Sequence, residues 1–244
     1  MSDDGAPGRV LWVTGAGSGM GRAAAVSAAA RGWRVALSGR REDALAQTAR
    51  AVEAAGGEAL VLPLDVGVGA AVAAARASIG ERWGAVGGLV LAAGLNSPRR
   101  TWADQDLGEL EAVVATNLVA VARVVDAALP DLRATAGVVV VISSYAGWSF
   151  SPGAGVAYSA SKSALASVCR TLNQQEAPSG VRACHLCPGD VDTDFLAMRP
   201  QVPDASAREV MLSADDVARA VQFVLDAPAH VRVDELVISP VSQR

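Results

Sequence analysis

Short apolar runs, many of them rich in Val, Ile and Leu, alternate with Ala-rich helical segments along the 244-residue chain. The runs are continuously apolar, which is typical of strands buried on both faces of a sheet. Strands separated by helices form right-handed βαβ units and therefore a parallel sheet. The predicted strands are Val10–Thr14, Trp33–Ser38, Ala59–Leu64, Gly88–Ala92, Val138–Ser143, Val181–Cys187 and Leu236–Ser239.

Helices are predicted between these strands from Ala-rich and amphipathic patterns. A capping-box pattern, Ser213-x-x-Asp216, marks the start of the last helix. The least patterned stretch, 201–212, is predicted as a mobile loop. The predicted helices are Gly21–Arg31, Arg41–Ala55, Gly69–Arg82, Leu107–Leu132, Val156–Gln175 and Ser213–Leu225. We expect an α/β fold: one domain, 1–244, with a doubly wound parallel sheet of about seven strands and helices on both faces.

Composition excludes several classes of function. A net charge of −4 argues against a nucleic-acid partner. With two His and three Cys, the chain has few candidate ligands for a metal site. Two of the cysteines, Cys184 and Cys187, lie inside an apolar run that is predicted as a strand. The longest apolar runs are too short to cross a membrane, and the polar segment 1–5 is not a signal peptide. We therefore expect a cytoplasmic protein without a metal, a nucleic-acid partner or a membrane partner.

A glycine-rich turn joins the first predicted strand to the first predicted helix. Thr14, Gly15, Gly19 and Gly21 form the pattern T-G-x-x-x-G-x-G. Glycines allow a backbone to approach a pyrophosphate, and the N–H groups of the following helix bind its charge. The turn therefore predicts a dinucleotide site that includes Gly15, Ser18, Gly19 and Met20, although an ordinary strand-to-helix connection would also use glycines.

The ends of the second and third strands carry candidate nucleotide contacts. Arg40 and Arg41 follow the second strand, at the position where a carboxylate would bind the ribose 2′-hydroxyl and select NAD. An Arg at this position accommodates a 2′-phosphate instead, so NADP is favoured over NAD. The alternative is that both are solvated surface charges. Asp65 and Val66 follow the third strand, where they would meet the adenine; the alternative for Asp65 is an N-cap of the next helix.

Tyr158 and Lys162 form the most specific pattern in the chain. Lys162 is the only Lys, against 20 Arg, and Tyr158 is one of two Tyr. A spacing of four places both side chains on one helix face. A nearby ammonium favours phenolate and lowers the pKa of a Tyr. Tyr158 is therefore predicted as a general acid/base that protonates a carbonyl oxygen while a hydride reaches its carbon.

With this pair, the chain resembles the short-chain dehydrogenase/reductase family from Thr14 to the last strand. The resemblance implies a Rossmann-type fold in which Ser144 hydrogen-bonds the substrate oxygen, with Ser143 behind it. It also implies that Asn117 holds a water between Lys162 and solvent. The implied cofactor contacts further include Tyr158, Lys162, Ala92, Ala93, Gly94, Pro188, Gly189, Val191 and Thr193. The family's usual Asn pair after the fourth strand is replaced here by Leu91 and Ala92.

The resemblance also places a substrate pocket between Ser144 and Tyr158, lined by Tyr145 and Trp148. These side chains, with Phe150, Leu196, Met198 and Met211, point to an apolar substrate, although ordinary packing explains them equally well.

The resulting hypothesis is an NADP-dependent oxidoreductase that interconverts a ketone or aldehyde and its alcohol. The family commonly forms dimers or tetramers, which implies a homo-oligomer. The alternatives are a non-catalytic NADP-sensing module of the same fold and a hydrolase with Ser144 as nucleophile.

Overall fold

Seven strands form one fully parallel sheet in the computed structural model, which describes residues 9–243. The polar segment 1–5 lies outside these residues. The strand order across the sheet is β3-β2-β1-β4-β5-β6-β7, which confirms the predicted doubly wound sheet. The order reverses between β1 and β4, so the crevice beyond their carboxyl ends is the expected ligand site. The strands are β1 (Val10–Thr14), β2 (Arg34–Gly39), β3 (Ala59–Pro63), β4 (Gly88–Leu91), β5 (Val138–Ile142), β6 (Arg182–Pro188) and β7 (Glu235–Ile238).

Nine α-helices lie in the described part of the chain. The capping box is confirmed, because the Ser213 hydroxyl accepts from the Asp216 N–H and the Asp216 carboxylate accepts from the Ser213 N–H. The stretch 201–212 contains a short helix and a bridge from Leu212 to Val191 rather than only loop. The helices are α1 (Gly19–Ala29), α2 (Glu42–Ala54), α3 (Gly69–Trp83), α4 (Leu107–Val114), α5 (Ala120–Thr135), α6 (Tyr145–Trp148), α7 (Val156–Gln175), α8 (Ala205–Glu209) and α9 (Ala214–Leu225).

The sheet separates two apolar cores. In β1, Leu11 and Val13 face the core under α1, α2 and α9, whereas Val10 and Trp12 face the core under α3, α5 and α7. All four side chains are at most 4% exposed. Because each strand is covered on both faces, its sequence is continuously apolar rather than alternating.

The segment 107–135 differs from the predicted continuous helix. A π-helical turn, Ala115–Val119, separates α4 from α5. By length and mean hydropathy, 1.7, the segment would be able to cross a membrane. In this fold, however, α5 supplies Val121, Val124 and Leu132 to the second core. Its buried Asp131 accepts hydrogen bonds from Arg76 of α3. The core position accounts for the apolar composition.

Ala136 ends α5 in the left-handed region, with φ 49°. A left-handed conformation costs an L-residue about 1–2 kcal/mol, and glycine avoids that cost. Glycine also increases the entropy of the unfolded chain, which offsets part of the gain. We expect Ala136→Gly to raise the free energy of unfolding by about 0.5–1 kcal/mol in urea titrations.

The matched control is Ala134→Gly, at an exposed right-handed position near the end of α5. It should lower the free energy of unfolding by about 0.5–1 kcal/mol. Destabilisation by both substitutions would contradict this account of the α5 terminus.

Candidate active site

Two adjoining clefts, each of about 420 Å³, open at the carboxyl edge of the sheet. The first lies over the ends of β1, β2 and β4 at the reversal of strand order. Met20, Thr193 and Phe195 line both clefts and therefore mark their junction. The first cleft brings together most of the predicted cofactor residues, namely Gly15, Ser18, Gly19, Met20, Arg40, Arg41, Asp65, Val66, Ala92, Ala93, Gly94 and Thr193.

The glycine-rich turn packs so closely that side chains would not fit. Gly15 has φ +67°, and a Cβ there would lie 2.6 Å from the Ala93 nitrogen. A Cβ on Gly21 would lie 2.4 Å from the Gly15 carbonyl oxygen. This backbone packing braces the end of β4, where Leu91 and Ala92 replace the family's usual Asn pair.

The N-terminus of α1 suits an anionic group. Ser18 occupies the N-cap position but its side chain makes no capping hydrogen bond. The first N–H groups of a helix have no intrahelical acceptor, and the helix dipole favours negative charge there. With the glycines beside them, these donors fit a pyrophosphate.

Arg40 and Arg41 provide positive charge at the other end of the first cleft. Both are exposed, and neither forms an ion pair with any residue from 9 to 243. Asp65 also faces this cleft, where its Oδ1 accepts from the Gly67 N–H at 2.7 Å. The alternative role of Asp65 as a helix cap is wrong, because Val68 occupies the N-cap position of α3.

The second cleft contains the predicted reactive hydroxyl groups. Ser144, Tyr145 and Tyr158 line it, as do Pro188, Gly189 and Val191, which the resemblance assigned to the cofactor. The Phe195 ring packs against Tyr158 with 6.1 Å between centroids.

Two of the aromatic residues expected to make this pocket apolar lie elsewhere. Trp148 is half-exposed and outside the cleft, with its ring against Tyr145. Phe150 is 86% exposed and also lies outside the cleft, whereas Tyr145 and Leu196 line it, together with the charged side chains Arg100, Asp190 and Arg199. Because this lining is mixed, it does not single out an apolar substrate.

Lys162 is buried one helical turn after Tyr158. Its Nζ donates to the Ile142 carbonyl oxygen at 2.9 Å and lies 5.7 Å from the centroid of the Tyr158 ring. A Cβ on Gly94 of the first cleft would lie 3.9 Å from Nζ. Burial lowers the pKa of Lys162 to about 8. The ammonium group therefore lies between the phenol ring and the first cleft.

The pKa of Tyr158 differs from the expectation. Burial raises it, while the Ser144 hydroxyl and the charges of Arg100 and Arg199 act in the opposite direction. The predicted net lowering of the Tyr158 pKa is wrong for this structure, because burial of the phenol has the largest effect. At neutral pH the phenol therefore carries its proton.

The two serines after β5 have separate roles in the structure. The Ser143 hydroxyl is buried and donates to the Lys162 carbonyl oxygen at 3.1 Å, and Ser143 lines the second cleft beside Ser144. The Ser144 hydroxyl accepts from the Ala146 N–H at 3.2 Å and starts α6. That cap fixes the Ser144 hydroxyl at the wall of the second cleft.

Asn117 is fully buried in the π-helical turn. Its side-chain amide pairs with the Leu95 backbone: Oδ1 accepts at 2.7 Å and Nδ2 donates at 2.9 Å. Nδ2 also donates to the Ser161 hydroxyl at 3.1 Å, and that hydroxyl donates to the Tyr158 carbonyl oxygen at 2.8 Å. Sequence reasoning missed Ser161; its position three residues after Tyr158 was the available signal.

The hydrolase alternative lacks a base near Ser144. His185 is buried in β6 beside Glu235 and Cys187, and His230 lies in an exposed turn. Neither side chain lines either cleft.

Residues 9–203 match the family described as short chain dehydrogenase. The chain belongs to the short-chain dehydrogenase/reductase family. It is 34% identical over 242 residues to sulfoacetaldehyde reductase 2 of Chromohalobacter salexigens, covering 96% of this chain and 95% of that one. An uncharacterised oxidoreductase of Mycobacterium tuberculosis is 35% identical over 249 residues, covering 100% of this chain and 95% of the relative.

One relative is much longer than this short-chain dehydrogenase. The chain is 33% identical over 240 residues to glycine betaine reductase ATRR of Emericella nidulans, but covers only 19% of that protein's length. A solved structure of similar length is alcohol dehydrogenase from Thermococcus sibiricus complexed with 5-hydroxy-NADP. It has a TM-score of 0.87 at 32% identity, with 97% of this chain and 98% of that chain covered. This short-chain dehydrogenase is accordingly an oxidoreductase.

The Ser161 contact yields a stability prediction. Removing its hydroxyl leaves a buried amide hydrogen of Asn117 without this partner, so Ser161→Ala should lower the free energy of unfolding by about 1–2 kcal/mol. The measurement is urea unfolding followed by tryptophan fluorescence.

Ser163→Ala is the matched control, two residues along the same helix at an exposed position. It should change the free energy of unfolding by less than about 0.5 kcal/mol. Equal effects of the two substitutions would show that the Asn117–Ser161 contact contributes nothing specific.

Proposed function

We propose that this protein is an NADP-dependent oxidoreductase that interconverts a small ketone or aldehyde and its alcohol. The proposal rests chiefly on the Tyr158 hydroxyl, placed beside Ser144 in a cleft that adjoins the glycine-rich turn. Related structures were solved with NADP compounds, including actinorhodin polyketide ketoreductase with NADPH, at 28% identity and a TM-score of 0.86. Relatives named as reductases favour a carbonyl substrate.

Together the two clefts offer contacts for each part of the cofactor. The N-terminus of α1 at Gly19 and Met20 would bind the pyrophosphate, and Arg40 with Arg41 would bind a 2′-phosphate. The Ala93–Gly94 backbone and Lys162 would hold the nicotinamide ribose. Pro188, Gly189, Val191 and Thr193 would enclose the nicotinamide near the junction of the clefts. When bound, the cofactor supplies the hydride for reduction or accepts it in oxidation.

The residues of this chain supply the proton and position the substrate. In the proposed reduction, the Ser144 hydroxyl would donate a hydrogen bond to the carbonyl oxygen, and Tyr158 would transfer its proton to that oxygen. The raised pKa keeps the phenol protonated at neutral pH, which suits reduction. Lys162, protonated below its pKa of about 8, favours the phenolate that remains. By the family resemblance, Asn117 would hold a water that joins Lys162 to solvent.

No observation favours the non-catalytic sensing module, which would need neither Tyr158 nor Ser144 in the second cleft. We also infer one domain over 1–244, a cytoplasmic location and a homo-oligomer, either dimer or tetramer. Exposed apolar side chains on the 107–135 segment, Leu107 at 69% and Val119 at 45%, support assembly.

The role of Tyr158 predicts a selective loss of turnover. Tyr158→Phe removes the transferable proton, so kcat for NADPH-dependent ketone reduction should fall by about 10²–10⁴-fold. Its Kd for NADPH should stay within about threefold, since the substitution removes less than 1 kcal/mol of cofactor binding.

Tyr145→Phe, at the only other Tyr, is the comparison, and its kcat should fall far less. NADPH absorbance measures turnover and nucleotide fluorescence measures binding. A Tyr158→Phe enzyme with more than about a tenth of the original kcat would overturn the assignment.

The role of Arg40 predicts a change in cofactor preference. Arg40→Asp replaces a charge that would bind the 2′-phosphate with one that repels it. The ratio of kcat/KM for NADPH to that for NADH should fall by about 10–100-fold. The control is Arg50→Asp, on an exposed position of α2 outside both clefts, which should leave the ratio unchanged. An unchanged ratio in Arg40→Asp would remove the argument for NADP.

A further inference from the structure

Arg100 is held rigidly at the wall of the second cleft. Its Nε donates to the Ser97 carbonyl oxygen at 3.0 Å, Nη1 to that of Gly153 at 2.9 Å, and Nη2 to that of Met198 at 3.2 Å. These carbonyls belong to three different segments, all beside the cleft. The guanidinium is thus fixed before any substrate binds, which reduces the entropy lost on binding.

Its positive charge has no carboxylate partner among residues 9–243. The neighbouring Arg99 pairs with Asp106 and Glu109, and Arg199, on the same cleft wall as Arg100, pairs with Asp190 at 2.5 Å. Burial and the nearby charge of Arg199 lower the pKa of Arg100. A half-buried cation without a counter-ion is costly, and an anionic ligand would remove that cost.

The guanidinium retains donors for such a ligand. Arginine has five N–H groups, of which backbone carbonyls accept three. The charge of Arg100 also acts on the Tyr158 hydroxyl, so the two groups face the same space. An anion bound there would therefore belong to the molecule whose carbonyl oxygen meets Tyr158.

We propose that Arg100 binds an oxyanion on the substrate, so that the protein reduces small carbonyl compounds carrying a carboxylate, sulfonate or phosphonate close to the carbonyl group. This inference rests on the proposed function and adds the substrate class. Arg199 assists by long-range attraction, although Asp190 compensates much of its charge. The alternative is that Arg100 only joins its three backbone segments.

The test uses ketones that share an acetonyl group and differ in the second substituent. Acetoacetate, 2-oxopropanesulfonate and 2-oxopropylphosphonate carry the three anions, and methyl acetoacetate is the neutral counterpart; pyruvate and methyl pyruvate test a shorter spacing. Initial rates of NADPH oxidation give kcat/KM for each. We expect kcat/KM for at least one anion to exceed kcat/KM for the neutral methyl ester by about tenfold. One charged hydrogen bond has an effect of this size. The preferred anion identifies the oxyanion type.

Arg100→Gln separates anion binding from a structural role. It should lower kcat/KM for the best anion by at least about tenfold more than for the ester, and Arg100→Lys should restore part of that difference. Arg99→Gln removes a neighbouring charge outside the cleft and should leave the anion-to-ester ratio unchanged. If Arg100 had only a structural role, Arg100→Gln would lower kcat/KM for the anion and for the ester by the same factor.

The outcomes also separate this inference from the proposed function. Reduction of the esters without any preference for the anions would overturn the inference and leave the function standing. An equal loss of kcat/KM for anion and ester in Arg100→Gln would also overturn the inference and leave the proposed function standing. Absence of NADPH-dependent reduction for every compound would overturn the proposed function, and the inference with it.

Discussion

The hydrogen bond from Lys162 to the Ile142 carbonyl oxygen joins α7 to the carboxyl end of β5, and the site depends on it. A second bond runs the other way, from the Ser143 hydroxyl to the Lys162 carbonyl oxygen. Together they fix one turn of α7 against the strand end. Tyr158, one turn earlier, is thereby held beside Ser144, the second residue after β5.

Other polar contacts extend this frame to the rest of the sheet. Through its amide, Asn117 joins the Leu95 backbone after β4 to Ser161 of α7. Burying the ammonium of Lys162 is costly, as its lowered pKa of about 8 indicates. The apolar cores on both faces of the sheet supply the stability that offsets such a cost.

The sequence predicted the fold well because both faces of each strand are covered, which leaves a continuous apolar pattern. It also predicted most first-cleft residues, since local turn chemistry fixes positions such as Gly15. The π-helical turn around Asn117 was missed because it depends on contacts with distant segments. The charged residues of the second cleft were missed for the same reason: Arg100 and Arg199 come from separate loops, and the nearby aromatic residues suggested an apolar pocket.

In the proposed reaction, one substrate carbonyl at the junction of the two clefts receives a hydride from NADPH and a proton from Tyr158. Reduction with NADPH deuterated at both C4 positions, followed by analysis of the product, checks this reaction. We expect one deuterium on the carbinol carbon of the alcohol. An alcohol without deuterium on that carbon, or no alcohol at all, would exclude it.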